Sequence, residues 1–411
     1  MQLITPLGFF LLCCLHVACG QQSTTSAVSV NHGVVKSVQA VSPTVGAERI
    51  NAYVPLLLNK RVGIVANQTS IVGGVHLVDT LMSLHVNVAS VFAPEHGFRG
   101  DAGAGETIRN GIDAKTGLKV FSLYGQTKKP TAEMLANLDV VIFDIQDVGA
   151  RFYTYLSTLH YVMEACAEND KELIVLDRPN PNGFYIDGPV LNLEFKSFVG
   201  MHPIPVVHGC TLGEMAGMIN GQKWLKNNVQ CSVKVIACAN YSHKNNYLLP
   251  IRPSPNLPNA ASVYLYPSLC FFEGTNVSVG RGTAWPFQVI GYPGNTTGTF
   301  EFVPADIAHV VNNPPHEGKV CNGHHLTEFG EYHFLTSKQL YLEWLIGLYD
   351  QCDEKSKFFS VPDFFDKLAG SDQLRTQIQA GKTASEIREL WQNDLSKYKA
   401  MRTQYLLYED F

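Results

Sequence analysis

The sequence predicts an α/β protein, with a parallel sheet wrapped by helices in its first half and a more α+β second half. Three observations predict it. Short apolar runs alternate with stretches of helical periodicity from Glu48 onward, polar clusters follow the apolar runs, and a crowd of prolines then interrupts the pattern.

Strands are expected at 62–66, 86–93, 118–123, 140–145, 173–176 and 204–207, where β-branched and apolar residues run together. Helices are expected at 76–84, 131–138, 155–168 and 211–224, where apolar residues recur three and four apart. Thr211 and Glu214 have the spacing of a capping box that opens the last of these. Asn67-Gln68-Thr69, Pro94-Glu95-His96-Gly97, Asp144-Ile145-Gln146-Asp147 and Asp177-Arg178-Pro179-Asn180 each follow a strand. In open α/β sheets ligands bind at that edge. Five prolines (Pro250, Pro253, Pro255, Pro258, Pro267) then exclude a regular helix or central strand and mark a boundary. Helices resume at 337–349, 362–368, 372–380 and 385–405.

The 411 residues are 45% hydrophobic and 16% charged, enough apolar material for a core and for about two or three domains of ~150 residues. A net charge of −5 leaves no basic excess for nucleic acid. Residues 3–18 form an apolar run too short to span a membrane but suited to a signal peptide, so export is expected. Val17-Ala18-Cys19-Gly20 resembles a lipoprotein processing site, which would leave Cys19 lipidated and the chain anchored at the periplasm or outer membrane. Ordinary cleavage nearby is the alternative. The organisation expected is a leader at 1–19, a flexible tether at 20–47, a catalytic domain at 48–245 and a C-terminal domain at 246–411. The seven later cysteines are scattered without metal spacing and are expected as buried thiols.

Several chemistries lack their signatures. No strand leads into G-x-G-x-x-G or a phosphate-cradling G-x-x-x-x-G-K, no G-x-S-x-G elbow is present, and no histidine pair has helical zinc spacing. No metal and no cofactor are therefore expected.

In order along the chain stand Pro94-Glu95-His96-Gly97-Phe98-Arg99, the run from Asp144 to Tyr155, Asp177-Arg178-Pro179-Asn180-Pro181, Pro253-Ser254-Pro255-Asn256, Glu273-Gly274-Thr275-Asn276 with Gly280-Arg281-Gly282-Thr283, and a closing Arg402 to Tyr408. Together these resemble the exo-β-N-acetylmuramidases, once known as a domain of unknown function, over about residues 48–411. The resemblance implies a Rossmann-like first domain, a smaller second domain, and a cleft between them. It also implies exo-acting release of N-acetylmuramic acid from the non-reducing ends of peptidoglycan fragments. A non-catalytic cell-wall or muropeptide-binding lipoprotein on the same fold is the rival.

Glycoside cleavage needs a proton donor and a way to stabilise an oxocarbenium-like centre. Glu95, constrained between Pro94 and His96-Gly97 at a strand end, is the expected acid, with local pairing to Arg99 or His96 as the alternative. The second group is left open among Asp144, Asp147 and Glu273, with Glu106 and Glu214 weaker, or the substrate's own acetamido group. Asp144 and Asp147 could instead cap a helix starting near Phe152. The lactyl carboxylate of muramic acid calls for a guanidinium, from Arg151, Arg178 or Arg281. His96, Arg99, Gln146, Asn180, Asn256 and Asn276 are further candidates for substrate hydrogen bonds, and Tyr153, Tyr155, Tyr266 and Trp285 for a sugar face.

Overall fold

Valine, isoleucine and phenylalanine alternate in two directions along the first-half strands, so both faces of the sheet they form must be covered. In the computed structural model, which describes residues 42–100 and 110–411, they form a seven-stranded sheet: β1 (Val62–Ala66), β2 (Val88–Ala93), β3 (Gly111–Ile112), β4 (Lys119–Ser122), β5 (Val140–Asp144), β6 (Glu172–Leu176) and β7 (Val233–Ile236). The spatial order is β3-β4-β2-β1-β5-β6-β7, parallel except for β3. Leaving β3 aside, this is the Rossmann order, with its topological switch between β1 and β5. The leader, Cys19 and Glu106 lie outside the described residues.

Side chains along each strand divide by the period of two. Val65, Val141 and Phe143 join one core, with helices Tyr155–Glu168 and Leu212–Gly221. Ile64, Val140 and Ile142 join the other, with helix Leu77–Ser83. The first core continues without a break into the second half, through Phe271, Phe334, Phe365 and Trp391, so residues 42–411 make one compact unit. A smaller antiparallel sheet, β8 (Val289–Tyr292), β9 (Phe300–Phe302) and β10 (Cys321–His325), lies in that half with β10 central.

Five expectations need correction. The segment 204–207 is extended but not a sheet strand, because Pro203 and Pro205 remove donors; Val207 bridges to both Ala150 and Asp187. The edge strand is instead Val233–Ile236. A helix, Ala260–Leu269, does include Pro267. Proline cannot donate to the carbonyl four residues back, and Asn182 Nδ2 donates to that Val263 carbonyl instead, at 3.1 Å. The helix expected at 337–349 begins only at Glu343 and runs to Gln351; a further helix, Thr327–Ser337, precedes it and ends where Lys338 turns left-handed with φ 52°. The tether also ends earlier than expected, since Thr44 exchanges two main-chain hydrogen bonds with Ala239 and Gly46 N–H donates to the Asp177 carbonyl.

Helix Ala384–Arg402 returns the chain terminus to the Rossmann-like sheet. The Tyr408 hydroxyl donates to Asp177 at 2.6 Å and accepts from the Cys238 amide at 2.8 Å, while Leu407 N–H donates to Glu214 at 2.9 Å. The expected capping box is present, with Thr211 N–H donating to Glu214 and Glu214 N–H to the Thr211 hydroxyl. Glu214 is thereby structural, and all seven cysteines among the described residues are buried and unbridged.

Candidate functional site

A cleft opens at the carboxyl edge of the sheet. From the sheet side it is lined by Glu95, His96 and the run Phe152 to Tyr155, and from the second half by Ser254, Asn256, Tyr266, Arg281 and Phe287. Glu95 follows β2 after a single residue, Pro94. His96 then adopts φ 73° and Gly97 φ 81°, and Gly97 N–H closes a turn on the Pro94 carbonyl at 3.1 Å. A left-handed histidine costs about 1 kcal/mol or more and persists where the surroundings hold it, often at functional sites.

The Thr154 hydroxyl donates to Glu95 Oε2 at 3.2 Å. Tyr124, just past β4, also hydrogen-bonds the Glu95 side chain, and burial together with that carboxylate holds its phenol well above the usual range. Hydroxyls rotate, so both partners serve a carboxylate or a carboxylic acid. Underneath, Asn67 Nδ2 donates to the Tyr155 hydroxyl at 2.9 Å, which in turn donates to the Glu95 carbonyl at 3.3 Å. The polar residues after β1, at the switch point, thus brace the turn after β2.

Arg281 enters from the other side. Its Nε donates to Glu273 Oε1 at 2.5 Å and its guanidinium lies 4.9 Å from the centre of the Phe287 ring. Burial opposes its charge, but Glu273 more than offsets that. Because Glu273 takes Nε, the terminal nitrogens Nη1 and Nη2 have no hydrogen-bond partner among the described residues. Asn256, almost fully buried, donates Nδ2 to the Val310 carbonyl at 3.2 Å, and its Oδ1 has no partner among the described residues. Tyr153 lines the cleft with its hydroxyl donating to the Pro253 carbonyl at 2.8 Å.

Other expected site residues are placed elsewhere. Asp144 is fully buried and accepts two bonds from Arg178, from Nε at 2.6 Å and Nη2 at 2.9 Å, so this pair joins the ends of β5 and β6 rather than lining the cleft. Arg151 is a correction to the lactyl-binding expectation. It is buried, donates to the carbonyls of Pro189, Ile204 and Leu368, and burial pulls its pKa down to about 9. Arg99 is held by Asp79 and Asp113. Gln146 spends its amide on the carbonyls of Asp147 and Pro179. Asn180 donates to the Cys210 carbonyl and accepts from Asn182 N–H. It also packs so closely on Gly149, at φ 78°, that a Cβ there would fall 2.1 Å from its Oδ1. Asn276 is half-buried outside the cleft lining, its main chain tied to Phe358. Neither Asp144 nor Asp147 caps a helix: Thr154 precedes the helix, and Asp147 Oδ1 accepts Gly149 N–H at 2.6 Å.

Sequence reasoning missed Thr154 and Tyr124 as partners of Glu95, and Phe287 as the ring beneath Arg281. Tyr124 does carry a signal, standing after a strand as Glu95 does.

A Rossmann-like sheet that gathers a carboxylate, a guanidinium and tyrosine rings at its switch-point edge defines an α/β protein with a polar cleft. Two family models cover it in succession: exo-beta-N-acetylmuramidase NamZ, N-terminal, over residues 62–261, and exo-beta-N-acetylmuramidase NamZ, C-terminal, over residues 264–408. The peptidoglycan beta-N-acetylmuramidase NamZ of Bacillus subtilis (strain 168) is 38% identical over 375 residues, covering 87% of this chain and 89% of that protein. A crystal structure of a DUF1343 family protein from Bacteroides fragilis NCTC 9343 is 46% identical with a TM-score of 0.83, covering 90% of this chain and 100% of that one. A second from the same organism is 29% identical with a TM-score of 0.75, covering 89% and 99%. The chain belongs to the exo-β-N-acetylmuramidase family.

Proposed function

We propose that this protein is an exo-acting glycoside hydrolase that releases N-acetylmuramic acid from the non-reducing ends of peptidoglycan fragments. The observation that carries the reading is the presence, in one cleft, of Glu95 and an Arg281 whose terminal nitrogens are uncommitted among the described residues. Muramic acid offers a scissile oxygen that needs a proton and a lactyl carboxylate that needs a cation. Glu95 protonates the leaving oxygen, with Tyr124 and Thr154 following the change in its charge. Arg281 binds the lactyl carboxylate through Nη1 and Nη2, held in orientation by Glu273 and the Phe287 ring.

Among the described residues Glu95 is the one carboxylate that lines the cleft. The substrate's 2-acetamido oxygen then serves as the nucleophile, and Asn256 Oδ1 accepts its N–H to aim it at the anomeric carbon. Successive fluorination of the acetamido methyl group should lower kcat steeply, whereas a flat series would return the second role to a protein group.

The test of the function is mass spectrometry of muropeptide fragments after incubation. Free muramic acid is expected from the intact protein, and at least 1,000-fold less, on the order of a lost proton donor, from a folded Glu95→Gln variant. Near-normal release by that variant would remove Glu95 from the mechanism. Intact fragments after incubation with the unaltered protein would favour a binder.

We further propose, from the leader sequence, that the chain is exported and anchored through Cys19. Radiolabelled palmitate should enter the intact chain and not a Cys19→Ala variant, and equal labelling would refute the anchor.

A further inference from the structure

Beside the cleft lies a groove lined by Tyr247, Tyr264, Arg252, Leu248, Leu249 and Pro258. The two spaces adjoin. Leu257 lines both, and Pro253, which lines the groove, accepts on its carbonyl the hydroxyl of the cleft residue Tyr153 at 2.8 Å. The same carbonyl accepts from Gln68 Nε2 at 3.1 Å. Gln68 follows Asn67, which braces the Glu95 turn through the Tyr155 hydroxyl. The loop after β1 thus supports the expected acid on one side and the wall of the groove on the other.

The bonds of a muramic acid residue decide what can extend beyond the cleft. Its lactyl carboxylate belongs to Arg281, and at a non-reducing end its 4-hydroxyl is free. The rest of the fragment is attached through the anomeric oxygen, the atom that Glu95 protonates, and begins with another sugar. A pyranose presents an apolar C–H face and a rim of hydroxyls that lose water on entry and need partners. A tyrosine offers a ring for the face and a phenol for the rim. Neither Tyr247 nor Tyr264 makes a hydrogen bond among the described residues, although Tyr264 is only 3% exposed. Burial raises both phenols above their ordinary value, so each stays protonated and donates as well as accepts. Arg252 is exposed, and no carboxylate among the described residues pairs with it. Leu248, Leu249 and Pro258 supply the apolar wall that an acetamido methyl group needs.

We propose that this groove is the subsite for the leaving part of the substrate and seats the N-acetylglucosamine on the reducing side of the scissile bond, with Tyr247 and Tyr264 against its ring and hydroxyls and Arg252 donating to its outer edge. The inference rests on the reading of the cleft given above and adds that the enzyme recognises two sugars, the one it releases and the one it leaves on the fragment.

The experiment compares release of muramic acid from a muramyl-glucosamine disaccharide and from β-N-acetylmuraminyl fluoride, whose leaving group is a single atom. The quantity read is the ratio of the two kcat/KM values, disaccharide over fluoride. Tyr247→Ala, at a half-buried position, should lower that ratio about tenfold, the worth of one stacked ring. Tyr264→Phe keeps the buried ring, removes only the hydroxyl, and should lower it about fivefold. Arg252→Met, at an exposed position where folding is not at stake, should lower it about threefold. An unchanged ratio in the three variants, whether or not both rates fall together, overturns the proposal while leaving the function intact. So does an effect confined to a disaccharide carrying a peptide, which would give the groove to the peptide. Release from neither substrate by the unaltered protein overturns the reading of the cleft itself.

Discussion

Replacing Arg178 by Met should cost stability and spare chemistry. Arg178 and Asp144 retain 6% and 0% of their side-chain exposure and meet through two hydrogen bonds of 2.6 and 2.9 Å. Met fills the space of the arginine stem but leaves the Asp144 carboxylate buried without its counter-ion. Breaking one side of such a pair costs about 3–5 kcal/mol, most of it the desolvation of the charge left behind. At about 2–4 °C per kcal/mol for a chain of this order, the unfolding midpoint should fall by about 6–20 °C. Differential scanning calorimetry at pH 7 reads the shift, and kcat on the fraction that remains folded should stay within about threefold. The double variant Asp144→Leu with Arg178→Met removes both charges and should recover at least half of the loss. An unchanged midpoint with kcat down 100-fold would refute the reasoning and make the pair part of the chemistry.

A pH effect follows from Asp147, whose carboxyl burial pushes up to about 7 against the opposing hydrogen bonds from Gly149 and Val148. A folded value above the unfolded value means that its contribution is fully present below about pH 4 and is lost as pH rises through about 7. The unaltered protein should therefore lose several degrees of midpoint between pH 5 and pH 8 that Asp147→Asn, uncharged throughout, does not; parallel profiles for the two would refute this. Asn182→Leu leaves the Val263 carbonyl without its donor and should cost about 1–3 kcal/mol by urea unfolding. Adding Pro267→Ala, which restores a helical N–H, should return part of that loss, and no recovery would show that the carbonyl was satisfied otherwise.

Where a side chain's neighbours are close in sequence, the reading from sequence was sound. The capping box at Thr211 and Glu214, the strand at Val62–Ala66 and the helix at Tyr155–Glu168 depend on residues within a few positions of one another. Glu95 and Arg281 stand in motifs and both line the cleft. Four arginines looked alike in sequence, yet their surroundings separate them: carbonyls around Arg151, Asp144 beside Arg178, two aspartates around Arg99, and Glu273 on one edge of Arg281. Those partners come from up to 217 residues away, and no local pattern encodes them. Helix Ala260–Leu269 was hidden for the same reason, because the group that makes Pro267 tolerable is Asn182.

The docking of Tyr408 and Leu407 on the Rossmann-like sheet has a consequence for synthesis. Asp177 and Glu214 are made well before two of the donors that satisfy them, Tyr408 and Leu407, which lie 231 and 193 residues further along. A nascent chain cannot complete the interior of its first half until residues 407 and 408 have been made. The two family-model segments therefore constitute a single cooperative folding unit, and fragments divided near residue 262 should each be poorly soluble alone and regain structure only when combined.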